Sequence, residues 1–345
     1  MLNCEFKIKT GTKTCDHYLA SDKQGEPGFC SLPSRFRCPE AILAKGMRLS
    51  HSSVQNFLRC KRLWKYKEVD GITVRSDQMS AAANMGMLWD KCNDILYGNT
   101  DLSVVKDTVS RLRIDEYDES RVRALFKAHK SLELKIDTKD LIGLQAEFFY
   151  HHFDTASDDV IIHGFYDRLY GDHFVECKLT SSPEYYLSPF LINSQIGTYF
   201  LANDNLGFVD MEVVRRPAQK PYKESSKRVR RESASEFYER IYADIMARPS
   251  YYFVGLNRKT WKYGKRFYRD EFDLNELADR YKFILAEIRD CVKRESFYCN
   301  DKACMMFGSM CEYLDICRTG AVSETVFEYK EKLMEKQFES EEGKS

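Results

Sequence analysis

Asp167, Glu176 and Lys178 are the residues of this chain best spaced to do chemistry together. They fall in the stretch GFYDRLYGDHFVECKLT, which begins at Gly164. Val160, Ile162 and Phe165 carry an apolar strand pattern up to Asp167. A tight turn at Gly171-Asp172 leads into a second apolar run, His173-Phe174-Val175, which ends in Glu176-Cys177-Lys178. Hairpin strands joined at that turn align Asp167 with Glu176. The two-residue period puts Glu176 and Lys178 on one face and Cys177 on the other. Two carboxylates at one spot repel unless a cation sits between them, and hard divalent cations such as Mg²⁺ or Mn²⁺ prefer oxygen ligands. A lysine two residues on can orient or deprotonate an attacking water, or neutralise charge on a phosphate. Together these are the parts needed for metal-assisted phosphodiester hydrolysis. The same residues would also serve as a cross-strand ion pair on a solvated sheet face.

Several elements must position this set. Periodicity predicts helices over 50–66 and 76–96 and two more across 101–134, with Ser and Asp near the starts. Strands follow near 144–153, 159–170 and 173–179, then a helix over 190–203 and a strand over 207–215. A helix over 233–248, a short strand over 252–256 and a long helix over 272–294 complete the pattern. Gln195 and Tyr199 lie four apart, so both project from one helix face next to the hairpin. The fold class expected is α/β. No internal repeat and no phosphate-binding loop of the Walker type is present.

With these residues in place, the chain resembles the RecB-like nucleases of the PD-(D/E)XK superfamily. Their pattern is G-x-x-D-R, then (D/E)-x-K, then Q-x-x-x-Y on the following helix. Gly164, Asp167 and Arg168, then Glu176 and Lys178, then Gln195 and Tyr199 match it in order and spacing. The proline that often precedes the first aspartate is replaced by Tyr166. The resemblance implies a restriction-endonuclease-like mixed sheet flanked by helices and a metal-dependent deoxyribonuclease, expected to act as an exonuclease on single-stranded or end-processed DNA. It also implies that Gln195 and Tyr199 flank the site, contacting DNA or positioning the lysine, and that the Cys177 backbone carbonyl joins Asp167 and Glu176 as a metal ligand. Family members carry a histidine ligand in a G-x-x-x-H string. Here that string is Gly86-Met87-Leu88-Trp89-Asp90, and Asp90, a hard oxygen donor, takes the histidine's place. Glu147, on the preceding strand, is a further acid with a weaker claim. A catalytically silent DNA-binding or assembly subunit that keeps the fold is the alternative reading, with Asp90 as its best support. Recombination or replication proteins, in a phage setting, are the partners implied.

Composition constrains partners only locally. Of 345 residues, 43% are hydrophobic, which is enough for a substantial core. Net charge is formally zero, so no overall field attracts nucleic acid. One run is nevertheless strongly basic: Arg215, Arg216, Lys220, Lys223, Lys227, Arg228, Arg230 and Arg231 stand against a single acid, Glu224. A second run interleaves cations with rings between Arg258 and Arg269, including Trp261, Tyr263 and Tyr268, and this suits a single-stranded backbone and its bases. Arg168, Arg215, Arg216, Lys220, Lys227, Arg228, Arg230 and Arg231 are the expected DNA contacts. The N-terminus lacks an apolar signal region and no stretch is long enough to span a membrane, so the expected location is the cytoplasm.

Twelve cysteines in a reducing compartment point to metal ligands rather than disulfides. Cys304, Cys311 and Cys317 are spaced C-x6-C-x5-C in a loop-rich segment, and Cys60 lies far upstream in SHSSVQNFLRCKRLWKY. In iron–sulfur members of the RecB-like group, including the AddAB-type nuclease and the CRISPR-associated exonucleases, one N-terminal and three C-terminal cysteines hold a [4Fe-4S] cluster. The resemblance assigns that role to these four, with Cys299 as a spare thiol. Zinc, or four unligated buried thiols, would satisfy the same residue types. Cys4, Cys15, Cys30 and Cys38, with His17 as a substitute, form a candidate second thiolate site, for zinc or a further cluster, in an arm too small to have a core of its own. The organisation expected is a cysteine-rich arm over 1–45, a nuclease domain with its C-terminal cluster-binding segment over 46–320, and a charged tail over 321–345.

Overall fold

The computed structural model describes residues 48–98, 101–152, 160–223, 230–306 and 309–329, together with two short paired strands, β1 (Tyr18–Leu19) and β2 (Phe29–Cys30). Cys4, Cys15, Cys38, Lys227 and Arg228 therefore lie outside the described residues, as does His17. Two compact units emerge. One comprises Met1–Arg75, His151–Ile162 and Asp279–Ser345; the other comprises Ser76–Tyr150 and His163–Ala278.

Along the chain come β3 (Arg48–Ser50), α1 (His51–Arg59), α2 (Lys61–Trp64), β4 (Ile72–Val74), α3 (Ala81–Leu96), α4 (Leu102–Leu112) and α5 (Glu116–Ser131). The strands β5 (Leu141–His152), β6 (Val160–Tyr170) and β7 (His173–Thr180) follow. After them come α6 (Pro183–Leu187), α7 (Pro189–Ala202), β8 (Phe208–Arg215), α8 (Ala234–Ala247), α9 (Pro249–Tyr252), β9 (Lys265–Tyr268) and α10 (Leu274–Lys293). The last elements are β10 (Met305–Met306), β11 (Ser309–Met310), α11 (Leu314–Thr319) and β12 (Phe327–Tyr329).

Side chains start these helices where the chain offers them. Ser50 caps α1 through the Ser53 amide at 3.0 Å, Ser80 caps α3 through the Ala83 amide at 3.2 Å, and Ser233 with Glu236 forms a reciprocal capping box on α8. The strand expected over 252–256 is instead the end of α9, opened by Pro249, and a single isolated bridge from Phe253 to Val214. Proline at the first helical position is preorganised for a helix and lacks the N–H that a strand ladder needs. The real partner of β8 is β9, which pairs Phe208 with Tyr268 and Val209 with Phe267.

In the second unit the strand order is β5-β6-β7-β8-β9. β6 and β7 are antiparallel, β7 and β8 parallel, and β8 and β9 antiparallel, so the sheet is mixed as expected. The parallel step needs a crossover, and α6 and α7 supply it. One sheet face packs Tyr166, Phe174, Ile196, Phe200, Met211 and Val213 into a core. A second core joins α3, α5 and α8 through Leu88, Trp89, Leu125, Phe237 and Ile241. In the first unit Cys60, Leu63, Ile72, Tyr313, Ile316 and Phe327 pack together, and β12 pairs with β4.

His129 on α5 lies in that second core, with its ring edge-on to Phe253 and Tyr263 and its Nδ1 buried without a hydrogen-bond partner. Burial pushes the imidazole down to about 4; nearby Glu212 opposes this and Arg168 adds to it. The unfolded chain therefore binds the extra proton between pH 6.5 and 4. Stability contributed by the neutral ring is complete above 6.5 and is lost as pH falls through that window, by about 3 kcal/mol at its lower end. His129→Gln should flatten that slope in denaturant titrations run from pH 7 to 4. An unchanged slope would mean that other groups carry the acid sensitivity.

Candidate active site

The hairpin register pairs Arg168 with Val175 and Leu169 with Phe174. Continued by one residue, it sets Asp167 opposite Glu176. The Cys177 amide donates to Asp167 Oδ2 at 2.7 Å, so the backbone of one strand holds the carboxylate of the other. Glu176 is 1% exposed. Its Oε1 accepts from Lys178 Nζ at 2.5 Å and from Gln195 Nε2 at 2.8 Å, and Gln195 Nε2 also lies 3.0 Å from the Tyr199 hydroxyl. The helical Gln–Tyr pair thus meets Glu176 through Gln195. Tyr199 packs among Phe148, Tyr166 and Phe174, which fixes the helix face on the sheet.

Asp90 comes from α3. It lines a pocket with Asn93, Asp94, Gln145 and Asp167. Burial, reinforced by Asp167, pushes the Asp90 carboxyl up to about 7. Burial and Asp167 do the same to Glu176, also to about 7. Burial works against the charge on Lys178, but the carboxylates of Glu176 and Asp167 outweigh it and hold this ammonium above the ordinary lysine range. The result is three acids and one cation in a low-dielectric setting, short of positive charge.

Glu176 Oε2 is buried with no hydrogen-bond partner. An orphaned carboxylate oxygen is costly unless something cationic meets it. As placed, no group of three or more His, Cys, Asp or Glu side chains among the described residues is drawn together tightly enough to hold a metal ion. The fit is therefore one of donor kind: hard carboxylate oxygens, with raised pKa values on Asp90 and Glu176 and one oxygen lacking a partner, suit a hard divalent cation.

The other expected site residues are dispersed. Arg168 is 3% exposed and is paired with Glu212, with the Tyr97 hydroxyl and Cys177 Sγ also on its guanidinium. Its expected role as a DNA contact is therefore corrected to an internal one, since a buried, paired guanidinium presents no charge to a phosphate. Cys177 Sγ points to this opposite face, as the alternation requires. In the basic run, Arg215 pairs with Glu184 at 2.7 Å and Arg230 with Glu236 at 2.7 Å. The Arg231 guanidinium stacks over Tyr117, while Arg216 is half-buried and Lys220 and Lys223 are exposed. The reading of the sequence missed Gln145, whose Nε2 lies 3.5 Å from Asp167 Oδ1 and whose backbone has φ +50°, a strained value for a non-glycine strand residue. No local pattern announces that conformation.

In the other unit, Cys60, Cys299, Cys304, Cys311 and Cys317 line one pocket. The Asn300 amide donates to Cys60 Sγ at 3.4 Å, and the Cys311 amide to the Cys304 carbonyl at 2.8 Å. The four cysteines singled out from the sequence thus line one pocket with a fifth, without being drawn together tightly enough to hold a metal ion as placed. Cys92 and Cys291 are buried in helices. Cys30 lies opposite Tyr18 in the β1–β2 pair. Among the described residues no helix is long and apolar enough to cross a membrane.

Compared with known families, residues 48–318 match the model described as the PD-(D/E)XK nuclease superfamily. No curated protein and no solved structure matches the chain.

Proposed function

Because the chain belongs to the PD-(D/E)XK nuclease superfamily, we propose that it is a metal-dependent deoxyribonuclease of the RecB-like kind, acting on strands with free ends. The observation that carries this reading is the partnerless, buried Oε2 of Glu176 beside Asp167 and Asp90. Asp167, Glu176 and Asp90 would hold Mg²⁺ or Mn²⁺, with the Cys177 carbonyl as a further oxygen donor. When bound, the ion would lower the pKa of its water and stabilise charge on the phosphate. Lys178, kept protonated by its two carboxylate neighbours, donates a hydrogen bond to the attacking water or to a phosphate oxygen. Gln195 fixes Glu176 Oε1, which would leave the orphaned oxygen available to a bound ion. The basic runs carry the strand.

Labelled single- and double-stranded DNA incubated with Mn²⁺ should be degraded, and excess EDTA or Asp167→Asn should stop it. Degradation that survives both would sink the assignment. Binding without cleavage would favour the silent DNA-binding subunit.

The finer reading adds a [4Fe-4S] cluster on Cys60, Cys304, Cys311 and Cys317, supported by their shared pocket. Anaerobically purified protein should be brown, with iron and sulfide in equal amounts, and Cys60→Ser should lose both. Colourless wild-type protein containing zinc would replace the cluster with a zinc site, while metal-free wild-type protein would leave the thiols unligated.

A further inference from the structure

A second recess lies beside the pocket of Asp90 and Asp167 and shares Tyr97 and Arg168 with it as a common wall. Its cavity volume is about 260 Å³, and it opens to solvent. Three features give it a chemical preference. The first is charge: with Arg168 and Glu212 spent on each other, Lys135, Lys262, Lys265 and Arg266 line it against the carboxylates of Asp137 and Asp210, a surplus of two cations. Arg266 is tied to Asp210 at 2.8 Å, and Lys262 and Lys135 share Asp137 at 3.2 and 3.7 Å. The surplus matches a phosphate monoester, which carries a charge of about −1.5 to −2 at neutral pH.

Rings are the second feature. Tyr170 and His173 stack at 4.4 Å with their planes 3° apart, and Tyr97 and Tyr263 stand on the walls. The third is an unanswered polar group: Tyr263, 8% exposed, has a hydroxyl that is buried and without a hydrogen-bond partner.

The wall bearing Tyr263 is rigid. It runs from Gly255 (φ +76°) to Gly264 (φ +99°). A Cβ on Gly255 would lie 2.5 Å from the Gly264 carbonyl oxygen, and one on Gly264 would lie 2.2 Å from that of Met211. The loop base is therefore closed on itself at Gly255 and pressed against β8 at Gly264, two positions where only glycine fits. The Lys135 amide also donates to the Trp261 carbonyl at 2.9 Å. A recess preformed in this way loses little entropy on binding.

We propose that this recess takes the phosphate-bearing terminal nucleotide of the strand, a site distinct from the metal-binding carboxylates. This rests on the nuclease reading for its ligand, but its test does not depend on cleavage. The cations would receive the phosphate, the rings would face the base and Tyr263 would supply a hydrogen bond.

The test is isothermal titration of the full chain, free of divalent metal, with a 5′-phosphorylated dinucleotide, its 3′-phosphorylated isomer, the unphosphorylated dinucleotide and free dTMP. Wild type should bind at least one phosphorylated dinucleotide tenfold or more tightly than the unphosphorylated one. Lys265→Glu should erase that ratio, and Tyr263→Phe, which removes one oxygen, should weaken binding severalfold while leaving the melting profile intact. Binding of dTMP as tight as that of either dinucleotide would assign the recess to free nucleotides and overturn the strand-end role. So would no phosphate preference in wild type, or an unchanged ratio in Lys265→Glu. Protein that binds as expected yet cuts nothing would keep the recess and lose the nuclease reading. Protein that cuts DNA but binds none of the probes would do the reverse.

Discussion

Lys178→Ala is expected to lower the DNA cleavage rate by about two to three orders of magnitude, the range found when one preorganised donor is removed from a developing negative charge. Its ammonium sits 2.5 Å from Glu176 Oε1 and is the cation that offsets Glu176 and Asp167. On the proposed mechanism, truncation would remove a donor from the reacting phosphate, and it also removes one positive charge from a crowded acidic pocket. These two consequences separate in measurement. Loss of the charge leaves the carboxylates less compensated, so Mn²⁺ affinity, measured by titration calorimetry, should hold or rise. Asp167→Asn should lose both affinity and rate. Initial rates on labelled single-stranded DNA at saturating Mn²⁺, with melting profiles as the folding control, give the comparison. A Lys178→Ala protein that cuts at the wild-type rate would remove Lys178 from the chemistry.

Arg168→Ala should destabilise the protein by about 3–5 kcal/mol, the usual cost of removing one partner from a buried ion pair. Arg168 and Glu212 have side chains 4% and 17% exposed, and the guanidinium also satisfies the Tyr97 hydroxyl and Cys177 Sγ. Removing it strands the Glu212 carboxylate against the sheet. An apolar pair, Arg168→Met with Glu212→Leu, should recover much of the loss, since the desolvation cost of both charges disappears with them. Denaturant midpoints of the three proteins, read at constant slope, decide. Unchanged stability together with weakened DNA affinity would restore Arg168 to the DNA surface.

Arg168 also marks how far local pattern can be read. An arginine next to the aspartate of a G-x-x-D-R string looks like a phosphate contact, because both stand in one short string. Its burial depends on Glu212, 44 residues away, and that contact arises only when β7 and β8 pair in parallel. The same distance effect hid β9. Lys265–Tyr268 is four residues long with a single buried side chain, Phe267, too short for a two-residue period to register. Conversely, the Asp167–Glu176 alignment was legible because the tight turn at Gly171-Asp172 sets the register of a hairpin. The face of Cys177 was legible for the same reason. Gln195 and Tyr199 could be placed on one helix face, but their meeting with Glu176 required the crossover to lay α7 on the sheet.

What the sequence determined by itself is therefore whatever short-range geometry controls: the hairpin and its aligned acids, the alternation that turns Cys177 away from Glu176 and Lys178, and the helix face of Gln195 and Tyr199. The tertiary structure alone decided which charges are buried. It placed Asp90 beside Asp167, gave Arg168 to Glu212, left Glu176 Oε2 without a partner and gathered five cysteines from distant stretches around one pocket. The reason is physical. Register and periodicity are properties of a few neighbouring residues, whereas desolvation and pairing depend on what the rest of the chain brings within a few ångströms.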